Sequence, residues 1–465
     1  MTADPSRYAE RAMNDPNRFD PGSVDTFRIV DNEYDHSSRT AYLRYALDDR
    51  YSFEETVTFE TEPPPGIPVD GGGLDGALRH LHIAAGTSYY KAAAPPVVVV
   101  EGTGLSVSEL EFHRRLYDDG LREFAVTNRL PVPRTVEIRA VPTLPVGADQ
   151  LRTLRPGGLV VPIGGGKDSM VLIEAVRQVG PKLLAVNPHP LVIELAGQTG
   201  LELIVIRRKL SPELARLTSA GALNGHVPIT AIVSLIAVLG SFVYGYDSIA
   251  MAIERSASEE TRLVDGVPVN HQYSKSLDFE NLFRRLISDS VDPGLTYGSA
   301  LRRYSELAIA RAFSRLTGYH ATFCSCNTAF RQQAEAGDRW CGHCPKCRFV
   351  GLMLAPFLTP EALTAIIGRD MFDDPEQVEG FAALMSEDDK PFECVGERRE
   401  SAAAMRMLSD LPEWNETVVV AVLGARARAM VSDPAVKELL APDLSPAFPD
   451  PRVASAVDRL MTGAT

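Results

Sequence analysis

The stretch Leu159-Val160-Val161-Pro162-Ile163-Gly164-Gly165-Gly166-Lys167-Asp168-Ser169 constrains this chain more than any other. An apolar run breaks into three successive glycines and then into a helical pattern over 170–179, which reads as strand, tight loop and helix. Residues without Cβ atoms let backbone N–H groups converge on an anion, and the helix N-terminus behind them adds positive dipole character. Lys167 supplies a cation, Ser169 a hydroxyl and Asp168 a carboxylate suited to magnesium. The predicted element is a phosphate loop whose nucleotide-binding residues are Gly164, Gly165, Gly166, Lys167, Asp168 and Ser169. Its spacing is neither Gly-x-x-x-x-Gly-Lys-Ser/Thr nor Gly-x-Gly-x-x-Gly, because the latter would need glycine where Ser169 stands.

From Gly158 onward the pattern alternates buried strands with helices, the mark of an α/β fold with a parallel, doubly wound sheet. Strands are predicted at 159–163, 183–187, 203–206 and 249–253. Ligands of such sheets bind beyond the carboxyl ends of the strands. Just past those ends stand the glycine loop, Asn187 with Pro188-His189-Pro190, the triplet Arg207-Arg208-Lys209, and Glu254-Arg255-Ser256. Asn187, Glu254 and Arg255 therefore join the predicted nucleotide site.

Ahead of this region, 27–30, 41–47 and 54–59 alternate apolar and polar residues like a one-sided antiparallel sheet. A helix over 74–85 then leads into Gly86-Thr87-Ser88-Tyr89-Tyr90-Lys91, and Ser106 is placed to cap a helix running to about residue 123. The proline-rich stretch 131–156 reads as a linker with an intervening strand. The expected organisation is an N-terminal α+β domain over 1–150, a catalytic α/β domain over 151–355 and a helical region over 356–465.

At 465 residues and 45% hydrophobic, the chain can bury cores of this size, while a formal charge of −14 has the wrong sign for neutralising a nucleic-acid backbone. The uncharged run from Val227 to Tyr246 matches a membrane span in length, but Pro228 at its start and Gly240 and Gly245 near its end suit a buried helix of a soluble protein. The first 25 residues hold no apolar segment of signal-peptide length, so a cytoplasmic location is expected, with neither nucleic acid nor membrane as partner. The sequence leaves the oligomeric state open.

Two polar strings fall where active-site loops belong: Asn224-Gly225-His226-Val227-Pro228 and Asn270-His271-Gln272-Tyr273-Ser274-Lys275-Ser276. Bulky hydrogen-bonding residues are poor currency for a connecting loop, which favours Gly, Pro and Asp. His226, His271 and Lys275 are accordingly the candidate proton-transfer residues. Five of the six cysteines fall between 324 and 347, and clustered thiols in a cytoplasmic chain point to metal before disulfide. Cys341, Cys344 and Cys347 make two Cys-x-x-Cys steps; Cys326 is preferred over Cys324 as the fourth ligand of a structural zinc, with an iron–sulfur cluster as the competing reading.

The glycine loop resembles the Ser-Gly-Gly-x-Asp-Ser loop of the PP-loop ATP pyrophosphatases, with Gly164 where that family has its leading serine. This resemblance implies cleavage of ATP between its α and β phosphates. Combined with the late Cys-Gly-x-Cys-x-x-Cys and Arg348, it is also similar to the layout of cyanodeazaguanine synthase, an adenylating ligase that modifies a nucleobase. The wider set of strings, Gly86 to Lys91, Gly164 to Ser169, Asn224 to Pro228, Glu254 to Ser256, Asn270 to Ser276 and Trp340 to Phe349, resembles the family of UDP-N-acetyl-α-D-muramoyl-L-alanyl-L-glutamate epimerases. Membership would imply ATP and magnesium as cofactors beside the structural zinc. It would also imply a UDP-muramoyl dipeptide substrate whose terminal L-glutamate is inverted, and AMP and pyrophosphate as products.

Overall fold

The computed structural model describes residues 18–67, 71–144, 151, 158–330, 339–386, 391, 393 and 395–463. The boundary expected near residue 150 falls outside them. A ten-stranded sheet runs through the described residues in the order β12-β9-β6-β7-β8-β3-β2-β1-β4-β5. Its strands are β1 (Thr26–Asp35), β2 (Thr40–Leu47), β3 (Tyr51–Phe59), β4 (Val97–Leu105), β5 (Glu137–Pro142), β6 (Leu159–Pro162), β7 (Lys182–Val186), β8 (Leu203–Lys209), β9 (Ser248–Met251) and β12 (Thr296–Ser299). The antiparallel set β1-β2-β3 joins the parallel set because β3 pairs with β8, Thr56 opposite Lys209 and Phe59 opposite Ile206.

Within β12-β9-β6-β7-β8 every pairing is parallel. The chain lays β7 and β8 on one side of β6 and β9 and β12 on the other, so the order reverses between β6 and β9. A crevice opens at such a reversal because the connections leave in opposite directions.

Both faces are buried, and the two-residue period of the strands assigns the side chains. Val160, Leu184 and Ile204 pack with helices Gly72–Ala85, Ile229–Tyr244 and Leu277–Ser290, while Leu159, Val161 and Leu183 pack with Lys167–Ala175, Glu306–Phe313 and the C-terminal helices. The uncharged run is the 16-residue helix Ile229–Tyr244, closed by Gly245 at φ +76°. It is about 24 Å long, and no helix among the described residues is long and apolar enough to cross a membrane.

Two elements differ from expectation. The helix capped by Ser106, whose capping box with Glu109 is present, ends at Asp118 instead of near 123. A side chain at Gly120 would meet the Leu116 carbonyl at 2.4 Å, and beyond that glycine a separate short helix, Arg122–Thr127, carries Glu123 in a new direction. Second, the pattern over 299–316 reads as one helix, but Ser299 closes a strand, Thr296–Ser299, paired with β9, and the helix proper is Glu306–Phe313, capped by Ser305.

Candidate active site

The β6/β9 reversal holds a cavity of about 460 Å³. Gly164, Gly166, Asp168 and Ser169 of the glycine loop line it, with Ile253 after β9, Ile229 and Thr230 at a helix start, Lys275, and Ser325 and Lys346 from the cysteine region. Gly165 is required as glycine: its φ is +89°, and a Cβ there would crowd Val192 at 3.2 Å while Cys324 N–H donates to its carbonyl at 3.0 Å. Gly164 is exposed, with nothing within 4 Å of where a Cβ would stand. Its backbone is open to a ligand, and a serine would fit.

Lys167 does not line this cavity. Its side chain is 2% exposed and ion-paired with both Asp168 and Glu306. Burial disfavours the ammonium, but the two carboxylates more than offset this and keep it protonated. The cations that do reach the cavity are Lys275 and Lys346.

Asp168, Glu254 and Glu306 each bring a carboxylate oxygen within 4.8 Å of the others, a hard-oxygen set that suits magnesium. Glu306 is pushed up to about 7 by burial and then by the charge of Asp168, and burial also raises fully buried Glu400 beside it well above the usual carboxylate range. Lys167 offsets only part of this concentration of buried acid, and the remainder is costly without a further cation. Sequence reading placed Asp168 and Glu254 here but missed Glu306, which follows the unexpected strand β12 and carries no motif.

Asn187 and Arg255 stand apart from the lining. Asn187, at φ +48°, exchanges side-chain hydrogen bonds with the backbone of Arg208 (2.7 and 2.8 Å), which extends the β7–β8 pairing by one rung. The Arg255 side chain reaches Asp443 at 3.5 Å.

The second polar group lies against the first. An Asp265-Gly266 turn with both φ positive makes a hairpin of β10 (Arg262–Val264) and β11 (Val267–Val269), and this hairpin delivers Asn270 to Ser276. Asn270 and Ser276 fix the string, bonding the Ala257 carbonyl and capping helix Leu277–Ser290. His271 is turned toward His226, ring centroids 4.5 Å apart, and its Nδ1 is bonded to Glu123. His226 is lowered to about 4 by burial and by His271, with Lys275 and Lys91 pushing the same way, so it is neutral at neutral pH. Lys275 belongs to both groups: it lines the nucleotide-sized cavity and acts on His226. Glu123 gave no sequence signal, since the helix it sits on was expected to continue straight.

The Sγ atoms of Cys326, Cys341, Cys344 and Cys347 lie within 4.8 Å of one another. Backbone N–H groups of Cys341, Cys344 and Cys347 point at the sulfurs of Cys326, Cys341 and Cys344 (3.3–3.4 Å), as they do where thiolates ligate a metal. Hydrogen bonds from Cys344 and Cys347 hold Cys326 far below the ordinary thiol range. Cys324 is outside the group, its thiol donating to the Arg339 carbonyl at 2.9 Å. Ser325 precedes one member and Lys346 another, so the cluster sets two residues of the cavity wall.

Two family models match the chain: one described as MurL N-terminal domain over residues 18–300, and one described as MurL C-terminal domain over 322–438. Proteins named UDP-N-acetyl-alpha-D-muramoyl-L-alanyl-L-glutamate epimerase match over 86% of its length. They are 40% identical in Xanthomonas oryzae pv. oryzae, covering 90% of that protein, and 41% identical in Salinispora tropica, covering 88%. A Micromonospora protein of the same name is 38% identical over 90% of its length. The chain belongs to this epimerase family. No solved structure gives a significant match. The epimerase-family N-terminal domain contains the glycine loop, both histidines and Lys275, and the C-terminal domain contains the thiols, Lys346 and Glu400. Glu306 lies between the two matched regions.

Proposed function

We propose that this chain inverts the terminal L-glutamate of UDP-N-acetylmuramoyl-L-alanyl-L-glutamate in peptidoglycan precursor synthesis, in the cytoplasm. The inversion proceeds through an acyl-adenylate, releasing AMP and pyrophosphate on a PP-loop ATP pyrophosphatase-like fold. The observation that carries this reading is the contiguity, through Lys275, of the glycine-loop crevice and a histidine pair in which His226 is held neutral.

The chemistry needs both halves. Taking the α-proton from a free carboxylate would place two negative charges on adjacent atoms. A carboxylate oxygen that attacks the α-phosphorus of ATP expels pyrophosphate and loses its charge, and the resulting carbonyl becomes an electron sink. The backbone of Gly164 to Gly166, with Lys346 and Lys275, would orient the phosphates. Asp168, Glu254 and Glu306 would hold magnesium, which neutralises charge on the departing pyrophosphate. A neutral imidazole of the His226–His271 pair would take the α-proton, Glu123 fixing the His271 ring. A second group, the other histidine or Lys275, would return a proton to the opposite face, and water would then release the inverted acid. Cys326, Cys341, Cys344 and Cys347 would hold a structural zinc that keeps Ser325 and Lys346 in place.

Incubation with ATP, magnesium and the UDP-muramoyl dipeptide tests the reading. AMP, pyrophosphate and D-glutamate are expected in matching amounts. ADP with orthophosphate would refute the loop assignment, and AMP with glutamate of unchanged configuration would favour a ligase on the same fold.

A further inference from the structure

Gly86 to Lys91 is among the strings singled out in the sequence that the scheme above leaves without a role. The structure accounts for its first five residues by packing. Thr87, Ser88, Tyr89 and Tyr90 are buried, the Tyr89 ring stacks on Tyr45 at 4.7 Å, its hydroxyl accepts from Ser211 N–H at 3.0 Å, and Ser88 accepts from Arg208 at 2.9 Å. Lys91 is different. Its half-buried ammonium donates to Asn224 Oδ1 at 2.7 Å and to the Gly225 carbonyl at 3.2 Å, both uncharged acceptors. Among the described residues no carboxylate lies within ion-pair distance of it. Burial, and then the charge of Arg208, lower its pKa.

The neighbouring cation shows what structural pairing looks like here. Arg208 is bonded at two points to the fully buried Glu55, 2.6 and 3.1 Å. The nearby carboxylate of Glu123 is committed to His271. Lys91 is thus a part-buried positive charge held by neutral groups, and the residue after its Gly225 acceptor is His226. The loop itself is pinned by Asn128, whose amide donates to the Asn224 carbonyl at 3.0 Å, so the ammonium is held in place. Two acceptors leave the third donor of the ammonium for a group from outside the protein, and an anion would make the stronger, charge-assisted bond.

We propose that Lys91 binds the free side-chain carboxylate of the substrate's terminal glutamate, the one that is not adenylated. This rests on the function proposed above and assigns the specificity of its site. Once the α-carboxylate is adenylated, the substrate's other anion is the UDP diphosphate, which the muramoyl-alanyl unit separates from the reacting α-carbon, whereas Lys91 acts on His226, a ring the scheme above casts in proton transfer at that carbon.

The test compares the natural dipeptide with one ending in L-glutamine, whose side chain keeps its shape and loses its charge. Wild-type enzyme should favour glutamate by roughly 10- to 100-fold in kcat/KM, the range expected of one charge-assisted hydrogen bond. Lys91→Met should lose that preference, mainly through a higher KM for the glutamate substrate, and Lys91→Arg should retain it. The effect should persist on the muramoyl dipeptide lacking UDP. Equal use of the two substrates by wild-type enzyme, undiminished preference in Lys91→Met, or an effect that vanishes with UDP would each overturn the assignment. Failure of wild-type enzyme to invert the natural dipeptide would instead overturn the proposed function, a separate result.

Discussion

Replacing His226 with glutamine probes the electrostatics on which the proton-transfer scheme depends. Burial first, then His271 and the two lysines, hold this ring at about 4 against an ordinary 6.5. Between those values the folded protein binds fewer protons than the unfolded chain, so this contribution to stability is complete above pH 6.5 and is lost as pH falls through 4. The full gap corresponds to about 3 kcal/mol, and the ring's partial contact with solvent reduces the expected loss to about 1.5–3 kcal/mol. The glutamine variant has no proton to gain. Urea unfolding of both proteins at pH 7.5 and pH 4 should therefore show the variant gaining on wild type by that amount at the lower pH. The epimerisation rate of wild type should keep its histidine in the basic form down to about pH 5. A stability difference constant across this range would refute the claim that His226 is held neutral by its surroundings.

Cys326→Ser should lower bound zinc from about one per chain toward none and reduce the thermal midpoint, while Cys324→Ser, whose thiol donates to the Arg339 carbonyl and lies outside the four-sulfur group, should keep the metal; elemental analysis decides. Gly165→Ala forces a side chain into φ +89° and should cost at least about 1–2 kcal/mol in denaturant unfolding. Gly164→Ser, which meets nothing within 4 Å, should stay within about 0.5 kcal/mol of wild type.

The strand-loop-helix of the glycine run, both polar strings and four of the five strands of the β12-β9-β6-β7-β8 set were legible because each rests on a local pattern: a glycine run, an unusual density of hydrogen-bonding residues, a continuous apolar segment. β12 was not, because four residues that include Gly298 are too short to stand out from the helix behind them. Glu306 was lost with it, and Glu123 was lost because the break at Gly120 is enforced by the nearby Leu116 carbonyl, which no sequence pattern reports. Lys167 shows the opposite limit. Its place in the loop was plain, but the direction of its side chain depends on Glu306, 139 residues away. The continuity of the sheet from the N-terminal strands into the parallel set likewise depends on the β3–β8 pairing, a contact between segments about 150 residues apart.

The central claim, that an adenylate is formed in order to acidify the α-hydrogen, is tested most directly by running the reaction with ATP, magnesium and the UDP-muramoyl dipeptide in deuterium oxide. Mass spectrometry of the recovered glutamate should show one deuterium at the α-carbon of the D-product, with AMP and pyrophosphate released alongside. Inverted product that has kept its original hydrogen, or adenylation without any exchange, would contradict the account.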